Sequence, residues 1–293
     1  MRNYIDEATA NVSLHEGPRA IEKLFLECYV TPEISTKELA RRTLLPVPVA
    51  AAIKKELIKM GALKQLNGVC CTFEGKQYIE SQRGFGGLDI ALYKKIMAAN
   101  EEWLPELNES LALLTELFRL RPSVNVQLDQ SKCTPETSLR RALLCVKEHT
   151  LIGKQILCVG DDDLVSVSLG FLLRRLFPNS MSPKATITVV DIDDRFLRYI
   201  DEVAVRERLP IQCCHADLRE PLPQNLYGQF DCIITDPPYT LPGLILFLSR
   251  GISALKPMIG LPIFLSFAHK APDFTLAIDR KSTRLNSSHI TIS

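Results

Sequence analysis

Apolar positions change their period about two fifths of the way along the 293-residue chain. Before residue 120 they recur every three or four places; afterwards short continuous apolar runs alternate with helical stretches. Residues 1–16 are mostly polar and predict a flexible or weakly helical lead-in. Ala20, Ile21, Leu24, Phe25 and Cys28 then share one helical face behind Pro18, a residue suited to a first turn. Ser35-Thr-Lys-Glu38 has the capping-box form and opens a short helix through Ala40 to Arg42. A third helix is expected from Val49 to Met60, burying Ile53, Leu57 and Ile58 and ending at Gly61. Apolar runs on either side of Asn67-Gly68 predict a β-hairpin, and Glu74 to Ser81 a closing helix. The glycine-rich stretch 83–88 reads as a hinge. From Ile90 to Leu120, the stripe of Leu104, Leu107, Leu111, Leu114 and Leu117 predicts one long connecting helix.

Beyond Arg121-Pro122 strands and helices alternate. Thr134-Pro-Glu-Thr137 caps a helix through Val146, and strands are expected at Ile156–Val159, Ala185–Val190, Ile211–His215, Phe230–Thr235 and Leu261–Phe267. Helices at Leu164–Phe177, Phe196–Val205 and Leu244–Leu255 separate them. Such alternation predicts a doubly wound parallel sheet. The implied layout is a lead-in (1–16), a three-helix-and-hairpin domain (17–82), a hinge and connector (83–120), the α/β domain (121–278) and a polar tail (279–293). The tail lacks any period that extends the sheet and reads as a non-native or truncated end.

Charge and cysteines narrow the function classes. The first domain resembles a winged helix-turn-helix, with Lys54, Lys55 and Lys59 on its third helix. Its ten Lys/Arg against seven Asp/Glu are a weak excess for a surface that tracks phosphates. That helix also opens with Val49-Ala-Ala-Ala52 where base-reading side chains are needed. Packing or homodimerisation is therefore favoured over DNA binding. The net charge of +1 points to no particular partner. Leu241–Leu248 is too short to span a bilayer, and the polar, acidic N-terminus is unlike a signal peptide, so a cytoplasmic protein is expected. Nine cysteines stand singly or as adjacent pairs, with no Cys-x-x-Cys; no metal is expected.

The chemistry lies where the strands end. Asp161-Asp-Asp163, Asp191, Asp217 and Asp236 follow the first four strands of the α/β domain. Open α/β sheets bind ligands at that edge. An acid after the second strand suits ribose hydroxyls and one after the third suits an adenine amino group, which Asp191 and Asp217 match. This is the class I, Rossmann-like fold of S-adenosylmethionine-dependent methyltransferases, and Asp236-Pro-Pro-Tyr239 taken alone suggests amino-group methylation. The first loop departs from that pattern. Only Gly160 of the usual Gly-x-Gly-x-Gly is present, and three aspartates follow it. A cofactor carboxylate there would meet like charge at about 1 kcal/mol per contact in water and several times more when buried. A cationic ligand is expected instead.

Val159-Gly-Asp-Asp-Asp-Leu164, Val190-Asp-Ile-Asp-Asp-Arg195, Asp217-Leu-Arg-Glu-Pro-Leu-Pro223 and Ile234-Thr-Asp-Pro-Pro-Tyr239 resemble the branched-chain polyamine synthases, or N4-bis(aminopropyl)spermidine synthases. Leu128-Asp-Gln130 with Thr134-Pro-Glu-Thr137 matches the segment before the sheet, and the likeness covers about residues 120–268. It implies aminopropyl transfer from decarboxylated S-adenosylmethionine to a secondary amine of spermidine, with release of methylthioadenosine. It also implies a catalytic carboxylate in the triple-aspartate loop, carried by position to Asp162, with Asp236 assisting. Gly160, Asp161, Asp191 and Asp217 are the expected co-substrate contacts, and Asp163, Asp236, Tyr239 and Glu136 the expected polyamine contacts. Two rival readings stay open: a DNA or RNA amino-methyltransferase using Asp-Pro-Pro-Tyr on a flipped base, and a transcription regulator that senses an adenosyl or polyamine ligand.

Overall fold

The computed structural model describes residues 2–12, 17–98, 104–123, 125, 133–179 and 185–266, with the backbone of 290–292. Two compact units divide the chain, residues 1–90 and 91–293.

In the first unit the lead-in is ordered. Helix α1 (Tyr4–Val12) buries Tyr4, Ile5 and Ala8, with the Tyr4 ring edge-on to Phe25 and Tyr78. Helix α2 (Pro18–Val30) follows, and α3 (Thr36–Thr43) starts where the Ser35 hydroxyl accepts the Glu38 N–H, as the capping box predicts. Helix α4 (Val47–Lys59) begins two residues earlier than expected, with prolines at its first turn; Ile53 and Leu57 are fully buried, while Ile58 is only half-buried. Each fully buried side chain of this size contributes about 1.5–3 kcal/mol. Strands β1 (Leu63–Gln65) and β2 (Val69–Cys71) form the antiparallel hairpin, and α5 (Phe73–Ser81) closes the unit behind a Thr72 cap. Gly68 is demanded by crowding: a Cβ there would lie 1.9 Å from the Glu33 carbonyl oxygen, because Ile34 bridges to Val69 alongside.

The expected connector helix is broken. Helix α6 is described over Ile90–Ala98, a 3-10 turn lies at Pro105–Leu107, and α7 (Asn108–Leu120) follows it. Leu104 is extended (ψ 116°), as a residue before proline must be. Of the leucine stripe, Leu107, Leu114 and Leu117 are buried; residues 99–103 lie outside the described set.

The rest is the predicted α/β layer structure. Helix α8 (Pro135–Lys147) is capped by Thr134. Strand β3 (Gln155–Val159), α9 (Val165–Leu176), β4 (Thr186–Asp191), α10 (Asp194–Glu207), β5 (Ile211–His215), β6 (Cys232–Thr235), α11 (Leu241–Ala254) and β7 (Ile263–Leu265) follow in order. A sixth strand, β8 (Ile290–Ile292), pairs in parallel with β7 and lies within the tail that the sequence pattern left outside the sheet; three residues are too few to show a period. The strand order is β5-β4-β3-β6-β7-β8. Right-handed crossovers run outward one way from β3 to β5 and the other way from β6 to β7, so α9 and α10 cover one face and α11 the other. Leu244 and Leu248 of α11 accordingly pack with Leu157, Val159, Ile233, Ile263 and Leu265. Between β3 and β6 the crossovers part in opposite directions, and a crevice opens at their carboxyl ends. The Leu128-Asp-Gln130 segment and residues 267–289 lie outside the described set. No helix among the described residues is long and apolar enough to cross a membrane.

Candidate functional site

That crevice is a cavity of about 500 Å³. Gly160, Asp162, Asp191, Ile192, Asp217, Leu218, Arg219, Asp236, Pro238, Thr240, Gly243, Leu246 and Phe247 line it. Five of the nine residues singled out from the sequence are therefore together: Gly160, Asp162, Asp191, Asp217 and Asp236.

Gly160 leaves β3 at φ +72°, donating its N–H to the Val190 carbonyl at 2.8 Å; a Cβ there would press on the Phe247 ring at 3.1 Å. The three following aspartates point three ways. Asp161 is buried and turns back onto its own helix, accepting the N–H of Val165 at 2.7 Å and of Ser166 at 3.1 Å. It caps α9 and does not line the cavity. Burial pushes its carboxyl up to about 7 against the pull of those donors. Asp163, also buried, is taken up by the Arg141 guanidinium at 2.7 Å, by the Cys133 N–H at 3.1 Å and, at 3.9 Å, by Arg121. Asp162 alone of the three faces the cavity. Burial, then the charges of Asp163, Asp191 and Asp236, push it up to about 8. Of the three acids expected at this loop, one faces the cavity.

Asp191, at the end of β4, accepts N–H donors from Asp161 at 3.2 Å and Asp193 at 2.9 Å, and burial raises its pKa. Asp217 is gripped by Arg219, backbone and guanidinium together, which draws its carboxyl down to about 2. Asp236 meets Arg141 at 2.9 Å. Burial and Asp163 raise its pKa, while Arg141 and the Tyr239 hydroxyl oppose that. Tyr239 is placed to hydrogen-bond Asp236 and is not part of the cavity lining. Glu136, on the first turn of α8, is exposed and outside the lining too.

Sequence reasoning missed Arg141, Arg121, Arg219 and the apolar wall of Ile192, Leu246 and Phe247. A signal existed for the first: several carboxylates converging on one edge need a buried cation, and the helix preceding β3 carries Arg140-Arg141. The chemical potential of the arrangement is specific. A carboxyl that readily holds a proton faces an apolar-walled cavity, next to a second carboxylate fixed by an arginine. Once a bound cation ionises it, the first carboxyl can accept a proton from that ligand, while the second keeps the ligand in place.

Residues 109–274 match the branched-chain polyamine synthase A C-terminal domain family. The N(4)-bis(aminopropyl)spermidine synthase of Thermococcus kodakarensis is 34% identical over 87% of this chain and 70% of its own. The enzyme of that name from Methanocaldococcus jannaschii is 36% identical over 72% of this chain, which spans 57% of that relative's length. An uncharacterized protein of M. jannaschii is 38% identical over 96% of this chain and 69% of its own length. Among solved structures, a mutein of the branched-chain polyamine synthase from Thermus thermophilus, in complex with N4-aminopropylspermidine and 5'-methylthioadenosine, superposes with a TM-score of 0.52. It is 26% identical, over 96% of this chain and 75% of that one.

Proposed function

The chain belongs to the branched-chain polyamine synthase family, and from that premise we propose that it transfers the aminopropyl group of decarboxylated S-adenosylmethionine to the secondary amine of spermidine. The observation that carries this reading is the cavity-facing Asp162 on the β3 loop, where a methyltransferase would present glycine N–H groups to a cofactor carboxylate.

In solution the acceptor amine is an ammonium and has no lone pair to attack with. Asp162, ionised by the arriving cation, takes one proton from it. The freed nitrogen lone pair forms a bond to the methylene carbon next to sulfur. That carbon's bond to sulfur breaks, and the electron pair leaves on sulfur to give the thioether methylthioadenosine. The positive charge passes from sulfur to nitrogen, so the site need not absorb a change of net charge. Asp236, held by Arg141, supports the remaining ammonium groups. Asp191 and Asp217 suit the ribose and adenine of the nucleoside, with Ile192 and Phe247 beside them. Binding the adenine amino group requires Asp217 to share its carboxylate with Arg219 or release it.

In the first unit the order α2, α3, α4, hairpin and closing α5, with α1 added in front, supports a winged helix-like domain. Its weak positive balance favours a packing or dimerisation role over a nucleic-acid partner. Incubating the purified protein with spermidine and either decarboxylated or intact S-adenosylmethionine tests the proposal. Methylthioadenosine and a heavier polyamine are expected from the first, and no S-adenosylhomocysteine from the second. S-adenosylhomocysteine as the main product would establish a methyltransferase; no turnover with either would leave a ligand sensor.

A further inference from the structure

The guanidinium of Arg141 joins the loops after β3 and β6. One nitrogen meets Asp163 at 2.7 Å and the other meets Asp236 at 2.9 Å, with only 19% of the side chain exposed. Asp163 is anchored on its far side by the Cys133 N–H. Arg121, itself 5% exposed, donates to the Asp162 carbonyl at 3.2 Å. The two loops come from strands that are neighbours in the sheet, but their helices lie on opposite faces. Nothing in the strand pairing sets the distance between Asp162 and Asp236 beyond the strand ends.

We propose that Arg141 is a positioning residue of the transfer reaction: it fixes the spacing of the two loops and supplies the counter-charge of Asp236, leaving Asp162 to receive the acceptor's proton. The inference rests on the aminopropyl-transfer reading. Asp161, Asp162 and Asp163 come from the β3 loop, Asp191 from β4, Asp236 and Tyr239 from the β6 loop, and Asp217 with Arg219 from the β5 loop. Arg141 from α8, with Arg121 and Cys133 preceding that helix, faces them. Two of the arginines face the acids of the β3 and β6 loops, while Arg219 is spent on Asp217. A guanidinium can hold two carboxylates at once through different nitrogens, whereas a lysine ammonium supplies the charge from one point. Charge and spacing can therefore be separated by substitution.

The experiment compares native protein, Arg141→Met and Arg141→Lys in methylthioadenosine release across pH, with methylthioadenosine binding by calorimetry as the control. Arg141→Met is expected to lose about 10²-fold in kcat, the scale of a loop misplaced by an ångström. Its acid limb should move to higher pH, because removing a cation makes the remaining carboxyls harder to ionise. Methylthioadenosine should bind within about threefold of native. Arg141→Lys should return the acid limb to its native position while recovering only part of kcat. An unmoved limb in Arg141→Met, a kcat within threefold of native, or loss of methylthioadenosine binding would each overturn the proposal. Full recovery of kcat by lysine would overturn the spacing role. Should Arg141→Met fail to fold, Arg141→Lys decides alone: native kcat refutes, reduced kcat with a native limb supports. A second arm is independent of turnover. Spermidine binding measured in two buffers of unlike ionisation heat counts released protons, and Arg141→Met should release more than native at pH 7.5. Inactivity of the native protein defeats the aminopropyl-transfer reading, whereas native-like proton release in the variant defeats the role of Arg141.

Discussion

Burial and the charges of Asp163, Asp191 and Asp236 push Asp162 up to about 8 from its ordinary 3.8. The folded, ligand-free protein therefore holds a proton that the unfolded chain gives up. The stability this carboxyl permits is fully present below about pH 4 and is lost as pH rises to about 8, at no more than about 1.4 kcal/mol per pH unit. Asp162→Asn cannot titrate. Without ligand, its unfolding midpoint should match the native protein at pH 4, rise above it steadily to pH 8 and hold that margin at pH 9. Parallel curves from thermal melts across this range would show that the site is not strained by ionisation. The same variant should lose about 10²- to 10⁴-fold in turnover while still binding methylthioadenosine. Near-native turnover would remove Asp162 from the base role. Acidic strand ends were legible in the sequence; the division of labour among Asp161, Asp162 and Asp163 was not. It depends on a turn in which Leu164 adopts φ +52°, so that consecutive carboxylates face a helix end, a cavity and an arginine.

Among the elements, local signals were most reliable where the determinant is itself local. Ser35 caps α3, Thr134 caps α8, and the hairpin turns at Asn67-Gly68. Pro105 divided the expected connector because proline constrains the residue before it, a rule that a leucine stripe conceals. Arg141 is easily passed over for a related reason: on an amphipathic helix a charged residue reads as solvent-facing until its partners on the loops after β3 and β6 are known. The glycines illustrate the difference between turn geometry and crowding. Gly68 lacks a positive φ, yet a Cβ would strike the Glu33 backbone at 1.9 Å. Gly61 has φ +79° with nothing within 4 Å. Gly61→Ala should cost about 1–2 kcal/mol, the left-handed penalty alone. Gly68→Ala must displace backbone at the Ile34–Val69 bridge and should cost more than that, on the order of 3 kcal/mol. Urea unfolding of the two variants orders them; equal losses would mean that the Glu33 turn yields freely.

At the scale of the molecule, alternation of strands and helices was enough to anticipate a parallel sheet with its crevice at the reversal of crossovers, since handedness leaves few alternatives. What the crevice accepts is decided by few side chains. Methyltransferase-like sheets meet a cofactor carboxylate with glycine N–H groups; here Asp162 stands at that loop. One like-charge contact at about 4 Å costs about 1 kcal/mol in water and about 4 kcal/mol in a partly buried site. Intact S-adenosylmethionine should therefore bind roughly 5- to 10³-fold more weakly than the decarboxylated form when Asp162 is ionised. The sign with pH follows. Below about 8 the free protein carries a proton on Asp162, and a carboxylate meets a neutral group. Above it the repulsion grows as the carboxyl ionises. The ratio of the two dissociation constants should change little from pH 6 to pH 7 and rise through pH 8 to pH 9. Asp162→Asn should abolish that rise, and it also serves as the control for titration of the ligands' own amino groups. Calorimetric titration of both ligands at these pH values measures this directly. A ratio that is constant with pH, or that rises equally in Asp162→Asn, would assign co-substrate choice to other residues of the cavity.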